Sequence, residues 1–175
     1  MDKIEFLLII PAIIYGVAIV DLLKIFSHKK NYFELVGWGV FCLTAIVISW
    51  SEIYNKVDLI KNDNISFYVL IIQSIIVARI AAVITPEERH INTKKYFMEI
   101  KRNFFLLLAL SGFINLLSQY FVFNDHTPIY MRPILILIML SCAYYDKVWY
   151  RTIILSLLML LAGTLMFSRY IIFSN

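Results

Sequence analysis

Charge is what this sequence has least of. Asp, Glu, Lys and Arg make up 16% of its 175 residues, where a soluble domain carries about 25%. It has only two cysteines, five glycines and three histidines. Cys42 and Cys142 both fall inside apolar runs, so they read as small packing residues and not as a disulfide framework. There is no glycine-rich phosphate loop, no histidine pair at metal-ligand spacing and no nucleophile motif. Those absences argue against the common enzyme classes, and neither a cofactor nor a metal is expected. Long polar stretches are missing too, which leaves no loop able to fold as a soluble domain with its own core.

Hydrophobic residues fill 61% of the chain, and the mean hydropathy is +0.79. They fall in six runs, approximately Ile4–Phe26, Tyr32–Trp50, Ser66–Thr85, Asn103–Phe123, Ile129–Tyr145 and Thr152–Ile172. A helix rising 1.5 Å per residue needs roughly 20 residues to cross a hydrocarbon core of about 30 Å. The expected fold is therefore an all-α, polytopic membrane bundle of about six transmembrane helices, with residues 1–175 as a single transmembrane domain. The first run lacks a positive n-region and a small-x-small cleavage site, so it reads as a span and not as a signal peptide. The fifth is the weakest, being short with Pro133 near its start.

Basic residues indicate orientation, because Lys and Arg accumulate in short cytoplasmic loops. Lys24 stands at the end of the first run, and Lys29 and Lys30 follow it. Arg89, Lys94, Lys95, Lys101 and Arg102 follow the third, and Lys147 and Arg151 the fifth, ten in all. The opposite side has five: Lys3, Lys56, Lys61, Arg132 and Arg169. This bias predicts cytoplasmic loops 1, 3 and 5 and both termini outside. Aromatic residues such as Tyr32, Trp50, Tyr120 and Trp149 mark the run ends, where amphipathic rings favour the headgroup layer.

Residues 86–102 form a basic loop between the third and fourth runs. Thr85-Pro86-Glu87-Glu88 has the composition of a helix start, with Thr85 as cap and Glu88 closing a capping box. Tyr96, Phe97, Ile100 and Phe104 then fall near one helical face, bordered by Lys94, Lys95, Lys101 and Arg102. The pattern predicts a short amphipathic helix lying on anionic lipid of the inner leaflet. Glu87-x-x-His90 has the spacing of a di-iron carboxylate motif, but such a site needs two copies and capping already explains the acids. The basic cluster lacks a nucleic-acid reading motif, so no nucleic acid is expected. A cytosolic partner protein would use this same surface.

Two charges interrupt the apolar runs. Asp21 lies near the inner end of the first run and Arg79 about six residues before the inner end of the third. Matched depth predicts an intramembrane ion pair, either clamping two helices or lining a polar cavity whose further walls are Glu34 and Asp146. Glu52, at the outer end, reads as interfacial and separate. Gln73, Ser74, Asn115, Ser118, Gln119 and Ser141 are expected to link helices by hydrogen bonds. Gly37 and Gly39, and Ala162 with Gly163, would allow close helix approach.

Four places in the chain resemble an uncharacterised family of small multi-span bacterial inner-membrane proteins. The first span ends Gly16-Val17-Ala18-Ile19-Val20-Asp21-Leu22-Leu23, matching Gly-x-Ala-x-x-Asp-Leu-Leu except that the family often has Thr where Val20 stands. The second span has Trp near both ends, Trp38 and Trp50, Pro86-Glu87 follows the third, and Tyr96-Phe97 with Arg102-Asn103-Phe104-Phe105 leads into the fourth. The resemblance implies a bacterial inner-membrane helical bundle and supplies no activity. Small bundles of this size and topology are also similar to accessory membrane proteins of anti-phage systems.

Three functional classes remain. The first is a non-enzymatic membrane effector or accessory subunit acting by assembly with a second copy or a partner. The second is a small-solute or ion carrier using Asp21 and Arg79. The third is a membrane enzyme acting on a lipid-soluble substrate.

Overall fold

The computed structural model describes residues 3–27, 32–55, 64–87, 92–121 and 131–174. Among them are six helices and no strand: α1 Lys3–Ser27, α2 Phe33–Asn55, α3 Asn64–Ile84, α4 Thr93–Phe121, α5 Met131–Tyr144 and α6 Val148–Ser174. Four contain segments long and apolar enough to cross a membrane: Leu8–Ser27, Phe33–Ile53, Ile65–Ile84 and Thr93–Tyr120. α6 has 27 residues, but α5 has only 14. At 1.5 Å per residue α5 extends about 21 Å, short of the hydrocarbon thickness.

The helices run alternately up and down. α3 packs along both α1 and α4, α5 lies along α4, and α6 leaves α5 to pack along α2. The described residues that flank loops 1, 3 and 5 consequently meet at one end, the basic end. The Tyr32 backbone N–H donates to Thr93 Oγ1 at 3.0 Å, Thr85 Oγ1 lies 2.9 Å from the Asp21 carbonyl, and Lys101 reaches Asp146.

The core follows helical periodicity. On α1 it is Tyr15, Ala18, Leu22 and Ile25, and on α3 Leu70, Ser74, Ala81 and Ile84. Ile13, Val17, Val20 and Leu23 of α1 face outward, the arrangement a helix adopts with lipid on its far side. Trp38 sits at the centre, its ring edge-on to Phe105 at 4.9 Å and in contact with Phe104 and Phe41. Three glycines mark close crossings. A Cβ on Gly37 would lie 2.5 Å from Leu155 of α6, one on Gly39 3.0 Å from Ile25 of α1, and one on Gly112 3.2 Å from Ile136 of α5. Gly163 meets nothing within 4 Å, so the expected close approach there is absent among the described residues.

Loop 3 differs from expectation. Thr85 ends α3 instead of starting a helix: its hydroxyl lies 2.8 Å from the Ala81 carbonyl, and Pro86 and Glu87 are non-helical. Glu88 and His90 lie outside the described residues, as do His28 and His126. The real start is Thr93, with Asn92 Oδ1 accepting from the Lys95 N–H at 3.1 Å as an N-cap. The segment from Thr93 to Arg102 is the continuous first part of α4, not a separate helix resting on lipid. Phe97 and Phe104 are buried in the bundle. The Tyr96 hydroxyl lies 2.7 Å and 2.9 Å from the Val83 and Thr85 carbonyls, which the end of α3 leaves without helical donors. The apolar face predicted for lipid packs against protein.

Candidate functional site: a buried ion pair and a polar cavity

Asp21 and Arg79 do not form a pair. Asp21 accepts from Lys24 on its own helix at 2.6 Å, and Arg79 is exposed. The α3 core positions are Leu70, Ser74, Ile80, Ala81 and Ile84, with Val77 partly buried against them. Position 79 is about 200° around the helix from 77 and from 81, so it lies on the opposite face.

The buried ion pair is elsewhere. Glu34 lies in the first turn of α2 and Arg151 in the first turn of α6, and both side chains are 0% exposed. Arg151 Nε donates to Glu34 Oε1 at 2.9 Å and Nη2 donates to Oε2 at 3.1 Å, giving a two-point contact. Nη1 donates to the Tyr145 carbonyl at 3.2 Å, just beyond the C-terminus of α5, and Nη2 also lies 3.8 Å from Met98 Sδ on α4. One guanidinium thus ties together α2, α4, α5 and α6. The Tyr32 hydroxyl donates to Glu34 Oε2. Burial, with that bond to the carboxylate, pushes the Tyr32 phenol up to about 12.

The polarity of the helices suits this arrangement. A carboxylate in the first turn of α2 faces the positive end of the helix dipole, and the guanidinium lies against a carbonyl at the negative end of α5. α2 and α6 start at the same end and run parallel. Glu34 and Gly37 lie on one face of α2, Arg151 and Leu155 on one face of α6, so the ion pair and the tightest crossing are a turn apart.

Asp146 belongs to this end but does not share a cavity with Asp21 and Arg79. It is exposed and pairs with Lys101, whose hydrogen bond and charge hold its carboxyl below the usual carboxylate value. Arg102 stacks over the Tyr144 ring at 5.3 Å. Of the four basic residues expected on one surface, Lys101 and Arg102 therefore fasten α4 to the end of α5, while Lys94 and Lys95 are exposed.

A polar cavity does exist, in the half of the bundle away from the ion pair. It measures about 60 Å³ and lies among α1 to α4, lined by Tyr15, Ser49, Glu52, Gln73, Ser111, Asn115 and Gln119 together with Ile53, Leu70 and Val77. Gln73 Nε2 donates to Ser118 Oγ at 3.4 Å across the α3–α4 contact, one of the interhelical links expected from sequence. Glu52 is thus a cavity residue and not merely interfacial. Cys42 and Cys142 are both buried and free.

No protein-family model matches the chain, and no match to it was found among the curated proteins or the solved structures.

Proposed function

We propose that this is a non-enzymatic integral protein of a bacterial inner membrane that acts by assembly, as an effector or accessory subunit, with its basic end as the contact face. One observation carries the reading: Lys94 and Lys95 are exposed in the first turn of α4. Cations at a helix N-terminus oppose the helix dipole and weaken the helix by a few tenths of a kcal/mol or more. Their presence is better explained by an outside ligand, an anionic lipid surface or an acidic partner, than by local stability. Exposed Phe33, Tyr144 and Trp149 at the same end add apolar area of the kind that interfaces use. The resemblance in the first span agrees with the proposed membrane.

The test is association of the full chain in nanodiscs made from its native lipid. Wild type should purify with a second copy or a partner, and Lys94→Gln/Lys95→Gln should lose that association while keeping its orientation and melting temperature. A wild-type chain that remains single and unaccompanied would sink the proposal. A carrier of small solutes or ions is the second reading. The cavity beside Glu52 favours it, in place of the expected Asp21 and Arg79 site. It requires flux through one protomer, measurable in proteoliposomes.

A further inference from the structure

We infer that the outer face of α3 docks a transmembrane helix of a second, different protein, one carrying an Asp or Glu that meets Arg79. Tyr68, Ile72, Ile75, Arg79 and Ala82 are all exposed and follow one another at intervals of four, three, four and three residues. A 3.5-residue repeat makes one continuous seam along a helix, the pattern by which two helices pack side by side. Ile13, Val17 and Val20 make an outward row on α1 as well, but that row is wholly apolar and lipid alone satisfies it. The α3 row differs in holding a charge. Among the described residues Arg79 has no ion-pair or hydrogen-bond partner.

Depth and direction choose the occupant. Arg79 lies within Ile65–Ile84, a segment long and apolar enough to cross a membrane. Thr85, just past its end, contacts the Asp21 carbonyl, at the level where Asp21 pairs with Lys24. Arg79 stands six residues before Thr85, about 9 Å further in at 1.5 Å per residue. The Gln73–Ser118 hydrogen bond sets antiparallel α4 in register and places Arg79 near the level of Gly112, well beyond Arg102, the last charge of α4. Helical side chains lean toward the N-terminus of their own helix. α3 ends at the basic end, so the Arg79 stem starts out over Ile75, away from the nearer headgroups. A guanidinium at such a depth is costly without a partner, and a carboxylate matches it at two points. A second copy of this chain has no described acid to give. Asp21, Glu34 and Asp146 are paired with Lys24, Arg151 and Lys101, Glu87 and Glu99 are exposed at the basic end, and Glu52 stands in the last turn of α2, toward the other end. This face is separate from Lys94 and Lys95, so either contact can fail while the other stands.

The experiment measures energy transfer between the full chain and a defined helix in phosphatidylcholine vesicles. The acceptor dye sits on Glu87→Cys, an exposed position just past α3, while the buried Cys42 and Cys142 stay unlabelled. The donor sits on an apolar helical peptide of about 20 residues, anchored by Lys at both ends, with one Glu about 9 Å from an end. Transfer should saturate, at a peptide density about tenfold lower than for the same peptide with Gln in place of Glu. Moving the Glu into the terminal turn of the peptide should remove that advantage. Arg79→Leu, with an unchanged melting temperature, should bind the Glu and Gln peptides equally, and Arg79→Glu should prefer a Lys peptide. Ile75→Trp, which blocks the seam a turn away, should weaken the Glu peptide severalfold, whereas Val17→Trp on α1 should not. Equal binding of the Glu and Gln peptides by wild type, a preference that survives in Arg79→Leu, or indifference to the depth of the Glu overturns the inference. If Arg79→Glu does not fold, Arg79→Leu and Ile75→Trp still decide. An Arg79-dependent rise in melting temperature with phosphatidylglycerol, without any peptide preference, makes Arg79 a headgroup contact only and overturns it. Arg79-dependent transfer between two labelled copies would put a second copy on this face and also overturn it.

Discussion

Glu34 and Arg151 have no exposed side-chain surface, and this determines how the pair responds to substitution. Removing one partner leaves a bare charge in a low dielectric, which typically destabilises by about 3–5 kcal/mol, whereas replacing both by apolar residues of similar volume is often near neutral. Glu34→Leu and Arg151→Leu should each lower the yield of folded protein sharply, and the double variant should recover much of it in a double-mutant cycle. Arg79→Leu is the control, because an exposed guanidinium has no buried partner to strand, and it should leave folding unchanged. Additive effects of Glu34→Leu and Arg151→Leu would contradict the geometry. Asp146 behaves differently because it is exposed. Its carboxyl is held below the ordinary value of 3.8 by Lys101, so its contribution is full above 3.8 and disappears as pH falls through the lower folded-state value. The small difference in stability between wild type and Asp146→Asn should therefore be present at neutral pH, vanish in acid and shrink in high salt. A difference that persists at acid pH would assign Asp146 another role.

At the scale of helices, the α2–α6 contact is the one to perturb. Gly37 admits Leu155 so closely that even a methyl group must displace the leucine's terminal carbon, a movable atom. Gly37→Ala should therefore be mild, whereas Gly37→Ile would wedge α2 from α6 one turn from the ion pair and cost about 1–3 kcal/mol by overpacking alone. Comparing the melting temperatures of the two variants checks this, and equal effects would show that the crossing is not tight. The six helices are legible in the sequence because apolar length is a one-dimensional signal, and the boundaries differ from the runs mainly where helices continue into the interface, as in α4. The pairing of charges is not legible in the same way. Depth alone matched Asp21 with Arg79, but contact also requires the same azimuth, and the core spacing of α3 puts position 79 on the far face. Arg151 stands at a matched depth with Glu34 and is hidden in the sequence by a second reading, as one of the basic residues that follow the fifth apolar run. Glu87 and the Thr85 capping pattern misled for a related reason: a cap signature also fits a helix that stops there, and the Asn92 cap lay further on.

At the scale of the whole molecule, the described flanks of loops 1, 3 and 5 gather charged side chains, whereas the cavity among α1 to α4 is lined by neutral polar groups and Glu52. The described flanks of loops 1, 3 and 5 are joined by side-chain contacts, so these loops must share one side of the membrane. The ten-to-five distribution of Lys and Arg is the ground for proposing that this side is the cytoplasmic one. Reporter fusions after Ser27, Asn92 and Asp146 should read cytoplasmic, and fusions after Asn62 and His126 external. A split among the first three would contradict the gathered end, and a uniform reversal would contradict only the orientation. Among the described residues, α5 is where the bundle departs most from six equal spans. The described α5, Met131–Tyr144, packs along α4, so deletion of α5 should expose the α4 face around Gly112.

The two halves of the ion pair are separated by 117 positions in the chain, and a ribosome delivers them at different times. When Glu34 is made, its counter-charge does not yet exist, and the nascent protein holds a carboxylate that must remain hydrated at the membrane surface until α6 arrives. The first turn of α2 is a position where that wait is tolerable. Synthesis of α6 is then also the event that lets α2 settle to its full depth. Products that stop before Val148 should be removed by membrane proteases faster than full-length chains, and Glu34→Leu should protect them.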